Sequence, residues 1–183
     1  MKDNITLLGI DPGTSTLGLA IFHLNTELEI VKIETRCINT TKEKTKFREN
    51  ANLEYRIAVI GHEIEAALTT YRPVGMAIEM PFINPRRIGS VIPLARLLGV
   101  LMDRSIQSNP YRMIYKKSPS EVKNAVGARG GADKDAVLAA VQNIKEISDL
   151  IKLEDLTDHE VDAIAINYGF LKSLRACYIL PIL

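Results

Sequence analysis

The order of its predicted elements most constrains the fold of this chain of 183 residues. Three segments rich in β-branched and aromatic residues come first, at residues 6–11, 18–24 and 29–38, with a turn at Asn25-Thr26 between the last two. Short strands in direct succession favour an antiparallel meander. The later segments alternate between helical and strand-like patterns, which favours parallel strands. We therefore expect a mixed α/β sheet.

Hydrophobic periodicity and the positions of proline and glycine assign the later elements. Strands are predicted at residues 74–79 and 111–117, and helices at residues 53–71, 91–106, 132–147 and 158–175. A short helix is predicted to begin at Ser118, with Pro119 in its first turn, and to end by Gly127. The chain has no internal repeat or linker, so we expect one domain over residues 1–175 and a short apolar tail at residues 176–183.

Three acidic residues each interrupt an apolar run. They are Asp11 in LLGIDPG, Glu79 in GMAIEMPF and Asp162 in HEVDAIAI. Burial of an ionised carboxylate costs several kcal/mol unless it is paired or bound to a metal. A single acid of this kind could form a helix cap or an ion pair, but none of the three runs contains a Lys or Arg. The pattern therefore indicates a shared cation and a metal-dependent enzyme.

The residues around Asp162 do not decide whether His159 or Asp158 would bind a cation together with it. Thr157 and Glu160 have the spacing of a capping box, which gives Glu160 a structural role, and Asp158 lies in a first turn that favours acids. At about 100° per residue, His159 and Asp158 both fall within roughly 60° of Asp162 on the helix surface. The helix can therefore present Asp162 together with either His159 or Asp158 to one point.

Composition narrows the kind of metal site. The net charge is only +1, which argues against a simple polycationic binder, and Cys37 and Cys177 are the only cysteines, without a CxxC pair. Carboxylates with at most one imidazole suit Mg²⁺ or Mn²⁺ better than zinc. Two such ions about 4 Å apart can activate a water and stabilise the leaving oxygen of a phosphodiester. The sequence therefore indicates metal-dependent phosphoryl chemistry.

The N-terminal residues show no signal-peptide core, and no apolar run approaches the roughly 18 residues of a membrane span. We therefore expect a cytoplasmic protein without a membrane partner, in a bacterial cell or in the host cytoplasm during phage infection.

Four segments, in order along the chain, resemble the RuvC family of Holliday junction resolvases. They are LLGIDPGTSTLGLAI, AIEMPF, SEVKNAVGARGGADKDAV and DHEVDAIAI, spread over residues 7–166. The resemblance implies an RNase H-like mixed five-stranded sheet, with three antiparallel strands followed by parallel strands and flanked by helices. It implies that Asp11, Glu79, His159 and Asp162 are catalytic residues and metal ligands. Asp158 lies one position off the motif and stays open as a further ligand.

The same resemblance implies a homodimeric endonuclease that binds four-way DNA junctions. It would make paired symmetric nicks with two Mg²⁺ or Mn²⁺ ions in each active site. Phe82 matches an aromatic wedge that enters the junction, with a core phenylalanine as the alternative reading. Lys123 and Lys134 match lysines that contact the DNA backbone.

Further basic residues extend the expected DNA surface. Arg129 lies among Gly127, Gly130 and Gly131, where backbone amides and the guanidinium could approach phosphates, unless this is only a solvated loop. Arg86 and Arg87 lie close to Phe82 and add to a basic patch around the site.

The sequence is also compatible with three functions other than resolution of four-way junctions. One is a nuclease of forks and flaps, because residues 36–50 and the apolar tail have no clear counterpart in the family and divergent members differ in what they cut. Another is an actin-like nucleotide-binding phosphotransferase, whose phosphate loop DxGTSxxG is close to residues 11–15 but which requires two such domains. The third is a junction-binding protein without catalysis, although all four site positions carry residues able to bind metal.

Overall fold

The computed structural model describes residues 5–41, 52–81 and 88–179. In this part of the chain a five-stranded sheet has the strand order β3-β2-β1-β4-β5. The strands are β1 (Ile5–Asp11), β2 (Thr16–Leu24), β3 (Ile30–Asn39), β4 (Gly75–Glu79) and β5 (Met113–Lys117). The first three pair antiparallel, and β4 and β5 continue the sheet parallel to β1. The predicted mixed sheet is confirmed.

Six helices accompany the sheet in the described residues. They are α1 (Leu53–Tyr71), α2 (Ile88–Ser108), α3 (Pro119–Ala125), α4 (Lys134–Gln142), α5 (Lys145–Ser148) and α6 (Asp158–Ile179). A single turn of 3₁₀ helix at Leu153–Asp155 precedes α6. None of these helices is long and apolar enough to cross a membrane.

The helices form a layer on each face of the sheet because strand residues alternate between the two faces. On β1, Leu7 belongs to a buried cluster with Ile164 and Phe170 of α6. Its neighbour Leu8 belongs to a second cluster, with Ile60 of α1 and Leu97 of α2. The sheet is thus covered by α6 and the short helices on one face and by α1 and α2 on the other.

The prediction of one helix over residues 132–147 is wrong. Asp133 caps α4 by accepting a hydrogen bond from the Ala136 amide at 2.9 Å, so the helix begins later. It ends at Gln142, and Ile144 is extended (φ −85°, ψ 99°) before α5 begins. The break allows Ile147 of α5 to be fully buried in the cluster under α6.

Two predicted helix starts are confirmed. Ser118 and Glu121 form a reciprocal capping box at α3. At α6, the Thr157 amide donates to Glu160 Oε2 at 3.0 Å, and the Glu160 amide donates to Thr157 Oγ1 at 3.4 Å. Glu160 is therefore a capping residue, as the sequence indicates.

Two helices extend beyond their predicted bounds. Helix α2 begins before residue 91 although it contains Gly89 and Pro93, which are poor helix formers. Helix α6 continues without interruption across residue 175, where the sequence places the start of the tail.

Candidate metal centre

Asp11 and Glu79 lie side by side at one edge of the sheet. They end the adjacent parallel strands β1 and β4, whose register pairs Ile10 with Ile78. Both isoleucines pack toward α1 and α2, so the residue that follows each one faces α6. Two carboxylates, distant in the sequence, are thereby brought together beneath one helix.

Two glycines allow α6 to lie directly on the strands. Gly18 is paired with Asp11 across the β1–β2 hairpin, and a Cβ atom there would collide with the His159 carbonyl oxygen. A Cβ atom at Gly9 would collide with the Ala163 carbonyl oxygen. Because both positions lack side chains, the first two turns of α6 approach the end of β1 closely.

Asn167 holds α6 in this position. Its side chain is fully buried, and Nδ2 donates to the carbonyl oxygens of Leu7 at 3.2 Å and Ala20 at 3.1 Å. No pattern in the sequence predicted a role for Asn167. The only local signal for it is a polar residue directly after the AIAI run, because its partners lie about 150 residues away in the chain.

His159 forms a hydrogen bond with Asp11, between Nδ1 and Oδ2 at 2.6 Å. The Asp11 side chain is 16% exposed and the His159 side chain 38% exposed. This hydrogen bond raises the pKa of His159 above its usual value, against the opposing effect of burial. The protonated imidazole can donate to Asp11, and the neutral ring can instead offer a nitrogen to a metal.

The other two carboxyl groups have raised pKa values. Burial raises the pKa of Glu79 to about 7, with further increases from the negative charges of Asp11 and Asp162. Burial also raises the pKa of Asp162 to about 6, followed by the effect of Asp11. A cation between these groups would relieve both the desolvation and the repulsion, so three carboxylates and an imidazole fit a hard divalent ion.

As they stand, these side chains do not surround a common point. In residues 5–41, 52–81 and 88–179, no three His, Cys, Asp or Glu side chains are gathered closely enough to hold an ion. The hydrogen bond between His159 and Asp11 occupies His159 Nδ1 and Asp11 Oδ2, two atoms that could otherwise coordinate an ion. The donor set therefore fits a metal by its chemistry, and binding would require small side-chain adjustments.

The structure separates the two helix residues that the sequence left open. His159 contacts Asp11, whereas Asp158 Oδ2 accepts from Lys134 Nζ at 2.7 Å. Asp158 is exposed, and this contact lowers its pKa. His159 is thus the residue brought to the acidic cluster, and Asp158 neutralises a lysine beside it.

The predicted DNA-binding residues fall into two groups. Lys123 and Lys134 lie near the acids, since the charge of Lys123 lowers the pKa of Glu79 and that of Lys134 lowers the pKa of Asp162. Lys123 Nζ also donates to the Ala132 carbonyl at 2.5 Å. Arg129 is exposed in the α3–α4 loop, which Gly127 enters with a left-handed φ of 87°. The remaining three, Phe82, Arg86 and Arg87, lie outside the described residues.

Comparison with known proteins gives a consistent family. The sequence model of the family described as crossover junction endodeoxyribonuclease RuvC matches residues 7–168. RuvC of Leifsonia xyli is 31% identical over 172 residues, covering 94% of this chain and 77% of that protein. RuvC of Syntrophomonas wolfei is 32% identical over 170 residues, covering 92% of this chain and 90% of that protein.

Solved structures show the same fold. Thermus thermophilus RuvC in complex with Holliday junction substrate superposes with a TM-score of 0.72 at 21% identity, over 94% of this chain and 96% of that one. Taken with the observed five-stranded mixed sheet and the sequence matches over most of the chain, this confirms the expected fold class. The chain belongs to the RuvC family of crossover junction endodeoxyribonucleases.

Proposed function

We propose that this chain resolves four-way DNA junctions by paired symmetric nicks, using two Mg²⁺ or Mn²⁺ ions in each active site. Membership of the RuvC family implies a nuclease that depends on a divalent metal. The observation that carries the proposal is the placement of Asp11 and Glu79 at adjacent strand ends beneath α6. Oxygen-rich sites of this kind suit Mg²⁺ and Mn²⁺.

The ligands we assign are Asp11, Glu79, Asp162 and His159. Bound ions would lower the pKa of a water and stabilise the negative charge on the leaving oxygen. The protein residues must be deprotonated to bind them, so Glu79 and Asp162 lose the protons that burial favours. His159 must be neutral at the nitrogen that it offers.

Lys134 and Lys123 supply positive charge beside the acids. Lys134 is exposed and paired with Asp158, so a DNA phosphate can take the place of the Asp158 carboxylate at little cost. Arg129 is exposed and available for a backbone phosphate. From the resemblance we also assign Arg86 and Arg87 to the DNA backbone and Phe82 to a wedge that unstacks bases at the crossover.

Paired symmetric nicks require two active sites related by a two-fold axis. A homodimer provides them, because a closed two-fold arrangement presents identical sites to the two equivalent strands of a junction. We therefore propose a homodimer that acts on chromosomal or phage DNA in the cytoplasm.

Strand cleavage of labelled four-way, fork, flap and linear DNAs in Mg²⁺ and Mn²⁺ tests the proposal. We expect two symmetric nicks on the four-way junction and little cutting of linear duplex. Asp149→Asn is the matched control for the Asp11→Asn, Glu79→Gln and Asp162→Asn variants. Asp149 is an exposed acid directly after α5, so this variant should cut normally. Preferential cutting of flaps or forks would show that these DNAs, and not four-way junctions, are the substrate. ATP turnover without nicking would overturn the nuclease assignment.

A further inference from the structure

The loop that directly follows Asp11 is tightly folded and held from outside. Residues 12–15 connect β1 to β2. A Cβ atom at Gly13 would collide with the Thr16 carbonyl oxygen, so the loop turns back closely on itself. The antiparallel pairing of β1 with β2 ends at Asp11 and Gly18, and the loop lies beyond that ladder. Its position therefore depends on contacts from other elements.

Thr40 provides most of those contacts. It follows the last residue of β3, which is paired with Thr16, and only 1% of its surface is exposed. Its hydroxyl lies 2.9 Å from the Thr14 carbonyl oxygen and 3.1 Å from the Ser15 carbonyl oxygen. Its amide donates to the Ser15 carbonyl at 3.0 Å. One buried residue thus binds two consecutive peptide groups of the loop.

Arg56 holds the same loop from helix α1. It lies in the first turns of α1, and its Nη1 donates to Ser15 Oγ at 2.8 Å. The loop is therefore fixed at Thr14 and Ser15 by the end of β3 and by α1. Neither element contributes any of the proposed metal ligands.

We propose that Thr40 is a positioning residue for DNA cleavage, which keeps the loop and the adjoining Asp11 carboxylate in the geometry that metal binding requires. The proposal rests on the function proposed above. Removal of the Thr40 hydroxyl takes away the hydrogen bond to the Thr14 carbonyl and one of the two to the Ser15 carbonyl, which keeps the Thr40 amide as its donor. The Thr14 carbonyl then has to find another partner, so the loop would shift toward water. A shift of about 1 Å in a catalytic group can reduce the rate on the order of 100-fold.

The test compares Thr40→Val, which keeps the shape but removes the hydroxyl, with Thr40→Ser, which keeps the hydroxyl. Thr6→Val is the matched control, because Thr6 is also buried but lies at the far end of β1. For each variant we would measure kcat on a four-way junction, junction Kd in Ca²⁺, and Mn²⁺ binding by calorimetry.

For Thr40→Val we expect kcat to fall by about tenfold or more and Mn²⁺ to bind several-fold more weakly, with junction Kd within about twofold of the wild type. Thr40→Ser and Thr6→Val should remain within about threefold of the wild type in kcat. A Thr40→Val protein with wild-type kcat and Mn²⁺ affinity would overturn the proposal. Equal losses in junction binding and cleavage, or no rescue by Ser, would also overturn it in favour of a purely structural role.

If Thr40→Val does not fold, Arg56→Met and Arg56→Lys provide the same comparison at the second anchor. The Met variant should weaken Mn²⁺ binding and Lys should restore it, and equal Mn²⁺ affinities in the two would contradict the proposal. The Mn²⁺ measurement does not depend on cleavage. A wild-type protein that binds Mn²⁺ but cuts no junction would therefore contradict the proposed function while the anchor comparison still stands.

Discussion

At the scale of single residues, the candidate metal centre brings together acidic side chains whose negative charge is disfavoured by burial. Burial raises the pKa of Glu79 to about 7 and that of Asp162 to about 6, and each is raised further by the other acids. By contrast, Arg175 lowers the pKa of Glu146 through a 2.8 Å ion pair on the same face of the sheet. The two kinds of carboxylate should therefore affect stability with opposite signs.

We predict that Glu79→Gln stabilises the metal-free protein at pH 8. Glu79 binds its proton more tightly in the folded state than in the unfolded state. Its favourable contribution to the free energy of unfolding is therefore complete below pH 4.5 and is lost as pH rises through about 7. With allowance for its partial exposure, the gain at pH 8 is on the order of 2 kcal/mol. Urea unfolding in EDTA at pH 5 and pH 8 measures it.

Glu146→Gln is the control for this measurement. The pKa of Glu146 is lowered in the folded state, so its contribution is present above its ordinary pKa of 4.5 and is lost as pH falls through the folded value. The Gln variant should therefore be less stable than the wild type at pH 8. A Glu79→Gln protein that is no more stable than the wild type at pH 8 would contradict the argument from charge.

The two candidate ligands on α6 should differ in their effect on cleavage. His159→Ala should lower kcat on a four-way junction about 100-fold or more, because the contact with Asp11 places His159 in the acidic cluster. Asp158→Ala should lower it by less than about fivefold, since this exposed carboxylate contacts Lys134. Comparison of kcat for both variants in Mg²⁺ and Mn²⁺ decides between them. A larger loss for Asp158→Ala would reverse the assignment.

At the scale of elements, the approach of α6 to the hairpin determines which side chains meet. The helix carries Asp162 and His159, and the hairpin carries Asp11, so the distance between the two elements sets the site. That distance depends on Gly18, where any side chain would collide with the His159 carbonyl. Asn167 then fixes the helix along its length through the Leu7 and Ala20 carbonyls.

We predict that Gly18→Ala lowers kcat at least about 100-fold, because the added methyl group must push the start of α6 away from β2. Gly99→Ala on α2 is the control, since its Cβ would meet no atom within 4 Å and alanine favours helix. Circular dichroism and kcat at a temperature well below unfolding separate loss of fold from loss of the site. Normal cleavage by a folded Gly18→Ala protein would show that the close approach is not required.

The sequence predicted those helices, strands and site residues that depend on a short, local pattern of residues. The succession of strands along the chain and the acids at the ends of β1 and β4 follow from short apolar runs, and Glu160 follows from a three-residue spacing. The break at Ile144 was missed because the apolar period continues through it, although burial of Ile147 requires a turn. The contacts of Asn167 and Thr40 could not be predicted, because each joins a side chain to a backbone carbonyl far away in the sequence. The catalytic and DNA-binding roles of the individual residues stay predictions.

At the scale of the whole molecule, symmetric cleavage depends on the proposed dimer. One chain holds one set of proposed ligands, and a junction has two equivalent strands to cut. Two copies related by a two-fold axis match that symmetry. Each active site would then act on its own strand, and the two cuts would be separable by inactivating one copy.

We predict that dimers of one wild-type copy and one Asp11→Asn copy nick a single strand. Co-expression with two different affinity tags isolates the mixed dimer, and a cruciform plasmid distinguishes one nick from two. We expect mainly nicked circular plasmid, whereas the wild-type dimer gives linear product. Linear product from the mixed dimer at the wild-type rate would show that one active site cuts both strands.

The central claim is that Asp11, Glu79 and Asp162 form one metal centre that cuts branched DNA. The most direct measurement is the single-turnover cleavage rate of a labelled four-way junction in Mg²⁺, for the wild type, Asp11→Asn, Glu79→Gln and Asp162→Asn, with junction Kd measured in Ca²⁺. We predict paired nicks by the wild type, and no detectable cleavage by any of the three variants, with Kd values within about threefold of the wild type. A variant that still cuts within about threefold of the wild-type rate would remove that residue from the metal centre.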